Sequence, residues 1–377
     1  MSAVGLDAEV GIVGTGTMGS MLAWQLARRG VPVLAFEQFS PGHDRGAVGG
    51  ETRLFRLAYA EGREYVPLLR DSLRLWRELE DESGARILTQ CGGLAIGDAD
   101  GDYIAGLLAN ARATGVPVRV LSAAEAAERY PQHALGDGEV AVLDEQAGFL
   151  RCEQAVLSAA RVAERAGAAV LRHTEVTDLV EHDDGVQVRT AGGATHRVGQ
   201  VVVAAGSWSG RFLPDRLAGV VQSHRVLLSW FGTDDIDAYR PERFPIFIHH
   251  RGALHVYGVP TVDDVMVKVA GAVTAHPVPA PDAVERRHSA EEVHRIAAAV
   301  GELLPGLHPE PIRTDAFTDL YTTDGRPLVG RVSDRVVVTT GHSGRGFKYA
   351  PGMAAVVADV LSGAAHPDRA FLSPDRF

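Results

Sequence analysis

The first regular pattern along the chain is short and apolar. Val10, Gly11, Ile12 and Val13 lead without a polar break into Gly14-Thr15-Gly16-Thr17-Met18-Gly19. After this turn Met18, Leu22, Leu26 and Ala27 recur at the spacing of one helix face, and the pattern stops at Gly30. A second apolar run over residues 31–36 ends at Glu37. An apolar run, a helical stripe and a second apolar run predict a βαβ unit, and with it a parallel sheet.

Turn residues then crowd residues 40–50, with Pro41, Gly42, Gly46, Gly49 and Gly50. Leu68, Leu69, Leu73, Trp76 and Leu79 form a helical stripe over residues 64–83, and Gly84 is its stop. Residues 87–96 read as strand, 102–114, 123–129 and 153–166 as helix, and 170–180 as strand. Residues 201–206 form a buried strand that ends in glycine. Strand pattern dominates 219–275, with runs at 220–231, 246–250, 254–259 and 265–270. A charged helix is expected over 283–300, and Pro305, Pro309 and Pro311 mark a connector. Strand 336–340, a glycine-rich turn at 341–346 and a helix at 353–361 close the chain. The α/β pattern returns at the beginning, the middle and the end. The expected fold class is therefore α/β: one discontinuous domain from residues 1–85, 145–215 and 320–377, with an inserted α+β domain on a mainly antiparallel sheet from 86–144 and 216–319.

Composition narrows the class. Of 377 residues, 46% are hydrophobic and 23% charged, the balance of an ordinary globular protein. The net charge of −11 argues against nucleic acid and anionic membrane as partners, since both need a basic face. Two cysteines, Cys91 and Cys152, exclude a disulfide framework and a cysteine-rich metal site. His249 and His250 have no third ligand spaced near them, so no metal is expected. Residues 1–10 carry Asp7 and Glu9 and no basic run, unlike a secretory signal, and the expected location is the cytoplasm.

Gly14, Gly16 and Gly19 match G-x-G-x-x-G. Glycine is needed there for the tight turn, for backbone approach to a pyrophosphate and for helix–strand packing. The helix N-terminus offers free N–H groups to the phosphates. Glu37, at the end of the second strand, is placed to accept hydrogen bonds from a ribose and repels a 2′-phosphate. The motif alone leaves FAD and NAD open. Its position at the chain start, with a glycine-rich element returning near the end, favours FAD.

Further motifs carry a resemblance. They are 46–56 (GAVGGETRLFR), 58–67 with Tyr59, Glu61 and Glu64, Tyr257-Gly258-Val259-Pro260, Val267-Lys268, 321–330 (YTTDGRPLVG) and 341–348 (GHSGRGFK). In this order they resemble the monomeric sarcosine oxidase and N-methyltryptophan oxidase family of flavin amine oxidases. The resemblance implies a Rossmann-type FAD-binding domain and oxidation of a secondary or tertiary amine, with hydride passing to flavin and O₂ reduced to H₂O₂. It implies that Arg53 lies by the flavin, that Arg56 and Lys348 hold a substrate carboxylate, and that Lys268 serves oxygen. Tyr257 and Tyr321 would line the substrate cavity. The cofactor set would be Gly14, Thr15, Gly16, Thr17, Met18, Gly19, Glu37, Gln38, Thr52, Arg53, Val176, Ala205, Gly206, Trp208, Gly341, Gly344, Gly346, Phe347 and Lys348. Lys268 also stands out unaided, as a lysine among Val265, Met266, Val267 and Val269.

The departures matter equally. Asp319 stands where relatives carry the cysteine that binds flavin covalently, so noncovalent FAD is expected. Gly49 and Ala272 stand at histidine positions of the family, and both changes are expected to open space for a larger substrate. The partners expected are a small amine and O₂, in a monomer or weak homodimer. A flavin dehydrogenase of the same fold, a nicotinamide dehydrogenase and a non-catalytic flavoprotein remain the alternatives.

Overall fold

A computed structural model describes residues 5–271, 276–364 and 367–377. Ala272 lies outside the described residues. The opening βαβ unit comprises β1 (Ala8–Val13), α1 (Thr17–Ala27) and β2 (Val33–Phe36). β1 and β2 run parallel, with Val10 opposite Val33 and Val13 opposite Phe36. On its other edge β1 pairs in parallel with Thr195–Val203, which pairs in parallel with Val336–Thr340. Ala169–Leu171 adds a parallel strand beyond β2. The hairpin Val176–His182 and Gly185–Thr190 and the strand Leu328–Arg331 complete eight strands.

Strands buried on both faces need no alternation, which is why β1, β2 and residues 201–203 read as continuous apolar runs. α1 is buried from Met18 to Ala27 because Cys152–Arg165 and Ala350–Leu361 pack beside it. Val66–Ser83 lies across these helices and is amphipathic, burying Leu68, Leu69, Leu75, Trp76 and Leu79.

A second sheet has nine strands and is antiparallel except where Ile246–Arg251 meets Gly93–Asp98. Its longest pair is Val221–Phe231 with Pro311–Thr322. Ile296, Ala299, Val300 and Leu303 of the helix Ala290–Leu303 share a core with Phe231, Val267 and Val269 on one face. Period-two alternation puts Lys268 and Ala270 on the other face, toward the first sheet. A small sheet of Thr52–Phe55, Gly148–Arg151 and Leu88–Gln90 completes the strands. Among the described residues no helix is long and apolar enough to cross a membrane.

Three sequence expectations shift. The charged helix begins at Ala290 rather than 283, because Ser289 and Glu292 form a capping box. The segment before it is tied to the nine-stranded sheet, with the Glu285 and Arg287 carbonyls accepting from the Arg225 guanidinium. The strand expected over 265–270 spans Val267–Gly271, and Val265 is exposed. The supposed connector at Pro311 opens a twelve-residue strand, Pro311–Thr322. Its first half has exposed polar positions, which hid the alternation.

Gly19 tests the packing of the unit. A Cβ there would overlap the Gly14 carbonyl oxygen and press Ile12. Gly19→Ala is expected to cost at least about 1–3 kcal/mol, the price of overpacking a rigid contact, read as a lower thermal midpoint of the cofactor-free protein. An unchanged midpoint would show that α1 does not pack this closely on the turn.

Candidate functional site

A cavity of about 580 Å³ runs from the β1–α1 turn to the inner face of the nine-stranded sheet. Gly14, Gly16, Thr17 and Met18 border its near end. Gly14 has φ +89°, and a Cβ there would lie 2.8 Å from the Ala204 oxygen. No side chain caps α1 at Gly16, so its first N–H groups stay available to an anion. Glu37 is only 2% exposed. Its carboxylate accepts from Thr15 N–H at 2.9 Å, Thr15 Oγ1 at 3.1 Å and Phe39 N–H at 2.9 Å. It thereby locks the turn while bordering the cavity. Thr15 and Gly19 shape this end from behind and do not line it. Gln38, Val176, Ala205, Gly206 and Trp208 border the same end. Trp208 is fixed by its indole N–H, which donates to Asp282 at 2.9 Å.

The far end is built by alternation. His224, Val226 and Leu228 project from one strand, and Phe317, Asp319 and Tyr321 from its neighbour. His224 lies opposite Asp319 in the register and stacks on Tyr321 with ring centroids 4.2 Å apart. His255 and Tyr257 follow two strands over. Burial raises the phenols of Tyr257 and Tyr321 above their ordinary range. Burial likewise raises the Asp319 carboxyl, against hydrogen bonds from Leu320 N–H at 2.8 Å and Gly344 N–H at 2.9 Å.

Arg56 and Lys348 meet at this end around one acid. Arg56 Nη2 donates to Glu61 at 2.5 Å, while Arg56 Nε and Nη1 and Glu61 Oε2 are buried without a hydrogen-bond partner among the described residues. Lys348 Nζ donates to the Arg345 carbonyl at 2.9 Å and lies 5.4 Å from the Tyr59 ring centroid. Burial, aided by the Arg56 charge, lowers the Lys348 ammonium to about 7. Despite its own burial, Glu61 is held below the usual carboxylate range by Arg56 and then Lys348. Gly341, Gly344, Gly346 and Phe347 border the cavity beside them.

Lys268 sits apart. It borders a separate void of about 10 Å³ with Thr52, Arg53, Leu228 and Tyr257. Its Nζ donates to the Gly50 and Thr52 carbonyls at 2.7 and 2.6 Å. Burial, and then Arg53, lowers it to about 7. Arg53 borders both spaces and donates to the carbonyls of Thr52, Ala47 and Gly49. Thr52 faces the small void and not the main cavity. Gly49 corrects an expectation: it opens no space, because a Cβ there would enter the Phe317 ring. Phe317 fills what a side chain at Gly49 would take. The sequence reading missed Glu61, His224, His255 and Arg345 as site residues. His255 was within reach, two positions before Tyr257 on one strand face.

A glycine turn open to anions, a buried acid beside it and a long cavity suit a dinucleotide whose other end reaches the sheet. The FAD dependent oxidoreductase family matches residues 9–360. Monomeric sarcosine oxidase of Streptomyces avermitilis is 33% identical, with 95% of both chains covered. N-methyl-L-tryptophan oxidase of Yersinia pestis is 28% identical, with 94% of both covered. The structure of NikD, described as an unusual amino acid oxidase essential for nikkomycin biosynthesis, superposes with a TM-score of 0.85 at 25% identity, covering 97% of each chain. The length, the order of motifs and the fold agree, and this chain belongs to the FAD-dependent oxidoreductase family.

Proposed function

We propose that this protein oxidises a secondary or tertiary amine that carries a carboxylate, with FAD as hydride acceptor and O₂ as final oxidant. The observation that carries this reading is the Arg56–Glu61–Lys348 group at the cavity end opposite the glycine turn. FAD, when bound, supplies a two-electron acceptor that O₂ can reoxidise to give H₂O₂. The chain's own residues do the rest. Arg56, held by Glu61 through Nη2, offers the substrate carboxylate the two nitrogens that have no hydrogen-bond partner among the described residues. Lys348 adds a point charge to the same anion. Tyr257 and Tyr321, raised and therefore neutral, wall the space beside the amine as hydrogen-bond donors without adding charge. The amine, bound neutral, loses hydride from a carbon next to nitrogen and becomes an iminium ion; a secondary amine then gives its N–H proton to solvent to form the imine, and water hydrolyses either species to an amine and a carbonyl compound. Lys268, next to Arg53, is the cation assigned to oxygen. Residues 1–85, 145–215 and 320–377 are assigned as the cofactor domain, which also turns Arg56, Tyr321 and Lys348 toward the substrate, and 86–144 and 216–319 as the substrate domain, which supplies Tyr257. The working unit is assigned as a monomer or weak homodimer.

The direct test is anaerobic mixing of FAD-loaded protein with N-methyl amino acids, followed by air. Bleaching and then H₂O₂ are expected. Bleaching without peroxide would assign a different electron acceptor, and no bleaching with any amine would end the reading. Arg56→Ala should raise KM for the oxidised amine by an amount equivalent to about 2–5 kcal/mol, because one partner of a buried anion is lost. An unchanged KM would remove the carboxylate from the assignment.

Lys348 gives the pH dependence. A bound anion raises its pKa above the free value of about 7. Affinity for a non-oxidisable carboxylate such as propionate should be flat below that pH. Above it, binding must take up a proton, and affinity should weaken by up to about tenfold per pH unit. Glu61 is anionic and Arg56 cationic throughout this range, since one is lowered and the other raised. Lys348→Met should abolish the slope, and a slope that persists would move the titration to another group.

The flavin is assigned as noncovalent. The Asp319 carboxylate cannot form a thioether, and neither Cys91 nor Cys152 borders the cavity. Acid denaturation should release yellow colour to the supernatant. Colour kept in the precipitate would indicate attachment elsewhere, with His43, His224, His255 and His342 the cavity-bordering candidates.

A further inference from the structure

The reaction end of the cavity carries more positive charge than one substrate carboxylate can answer. Glu61 is the carboxylate there, and three cations act on it: Arg56, Lys348 and Arg345. Asp319, the other acid on this wall, is already engaged by the N–H groups of Leu320 and Gly344. Arg345 borders the cavity and is partly exposed. Among the described residues its guanidinium makes no hydrogen bond, and no carboxylate lies within ion-pair distance. Its neighbours differ. Arg326 pairs with Glu64 at 3.4 Å, and Arg376 with Asp324 at 2.8 Å. In a chain with net charge −11, acids are plentiful, yet none is spent on Arg345.

The turn that presents Arg345 is fixed on both sides. Arg345 N–H donates to the His342 carbonyl at 3.0 Å, and the Arg345 carbonyl accepts from Lys348 Nζ at 2.9 Å. Gly344, at φ +75°, has no room for a side chain, since a Cβ would lie 2.9 Å from the Tyr321 hydroxyl. Ser343 N–H donates to the Leu320 carbonyl at 3.0 Å, which ties the turn to the sheet. Arg345 and Lys348 are therefore presented together by one turn, and the lysine answers the same anion as Arg56. A planar guanidinium with its donors free is matched to a second carboxylate by a two-point contact.

We propose that Arg345 binds a second anionic group on the substrate, so that the amine oxidised is an N-alkyl amino acid with a carboxylate in its side chain. The inference rests on the amine-oxidase reading above and names the substrate class within it. N-alkyl derivatives of aspartate or glutamate have the required chemistry. Their first carboxylate goes to Arg56 and Lys348, and their second to Arg345. His255 and His224 also face this region. Burial keeps both imidazoles below their ordinary range, so neither supplies a competing cation near neutral pH.

Two measurements on FAD-loaded protein test this. In the first, kcat/KM is compared for N-methyl-L-aspartate and N-methyl-L-glutamate against the amides N-methyl-L-asparagine and N-methyl-L-glutamine. The acids should be favoured by about tenfold or more, the scale of one charge-assisted hydrogen bond. Arg345→Gln should bring the acid-to-amide ratio close to one, and Arg345→Lys should restore part of it. Amides that match the acids in the parent protein would overturn the proposal. So would a ratio that Arg345→Gln does not move, or a loss in that variant traced to weaker FAD binding. In the second, succinate and butyrate are titrated against the flavin absorption spectrum. Succinate should bind more tightly, and Arg345→Gln should erase its advantage. This arm needs no turnover. If no amine bleaches the flavin, the oxidase reading fails alone, and an equal affinity for succinate and butyrate overturns the role of Arg345.

Discussion

Two cations that grip one strand of backbone carbonyls hold the site together. Lys268 donates to Gly50 and Thr52, and Arg53 to Ala47, Gly49 and Thr52. Lys268 belongs to the nine-stranded sheet and Arg53 to the small three-stranded one. The segment between them carries no regular pairing of its own until Thr52. Without these bonds its inward carbonyls would be buried and unanswered, which is costly in a dry interior. The next residue deepens the same joint. Glu51, at φ +67°, accepts from the Trp230 indole at 3.0 Å and the Arg313 guanidinium at 2.7 Å. Segment 47–52 thus couples the cofactor-side turn to the sheet that roofs the cavity.

This dependence changes how the two cations should be understood. Burial alone makes a charged lysine unfavourable, and Lys268 is lowered accordingly. Its carbonyl partners favour the ammonium, while Arg53 opposes it. Any role toward oxygen is therefore played by a group already holding the fold. Replacing Lys268 with methionine would disturb the segment as well as the chemistry, and loss of activity alone could not assign its function. Lys348 is different, because among the described residues its ammonium donates one hydrogen bond, to the carbonyl of Arg345 on its own turn. The charge of Lys348 is free to answer a ligand, and that of Lys268 is largely committed.

Legibility in the sequence followed the range of the physics involved. The βαβ unit and Glu37 were readable because a change of period, a glycine turn and a strand end are local features. Lys268 was readable because a lysine in an apolar run is an anomaly at any register. Phe317 over Gly49 was not readable, since the two are distant in sequence and meet only through the fold. Nor was the pairing of His224 with Asp319, which is set by register between two strands that the chain joins by a long excursion. Glu61 lay within a quoted motif, but its role depends on where the Arg56 side chain turns. The strand Pro311–Thr322 was hidden by polar residues on an edge that faces solvent for half its length.

The cavity reverses the sign of the molecule. The chain carries net charge −11, yet Arg53, Arg56, Arg345 and Lys348 border the reaction end with Glu61 and Asp319 as its acids. A concave site with low-dielectric walls focuses such a field and draws anions toward it, while the acidic exterior repels them elsewhere. The sign reversal therefore selects for the site rather than for the surface. Lys348, lowered to about 7 by burial and by Arg56, is only partly charged near neutral pH, and an anion beside it favours the charged form. Arg56 is paired with Glu61 at the same end, so an anion that enters meets a site whose charge is only partly balanced. Because that balance depends on a group lowered to about 7, the binding of an anion here and the charging of Lys348 are thermodynamically linked.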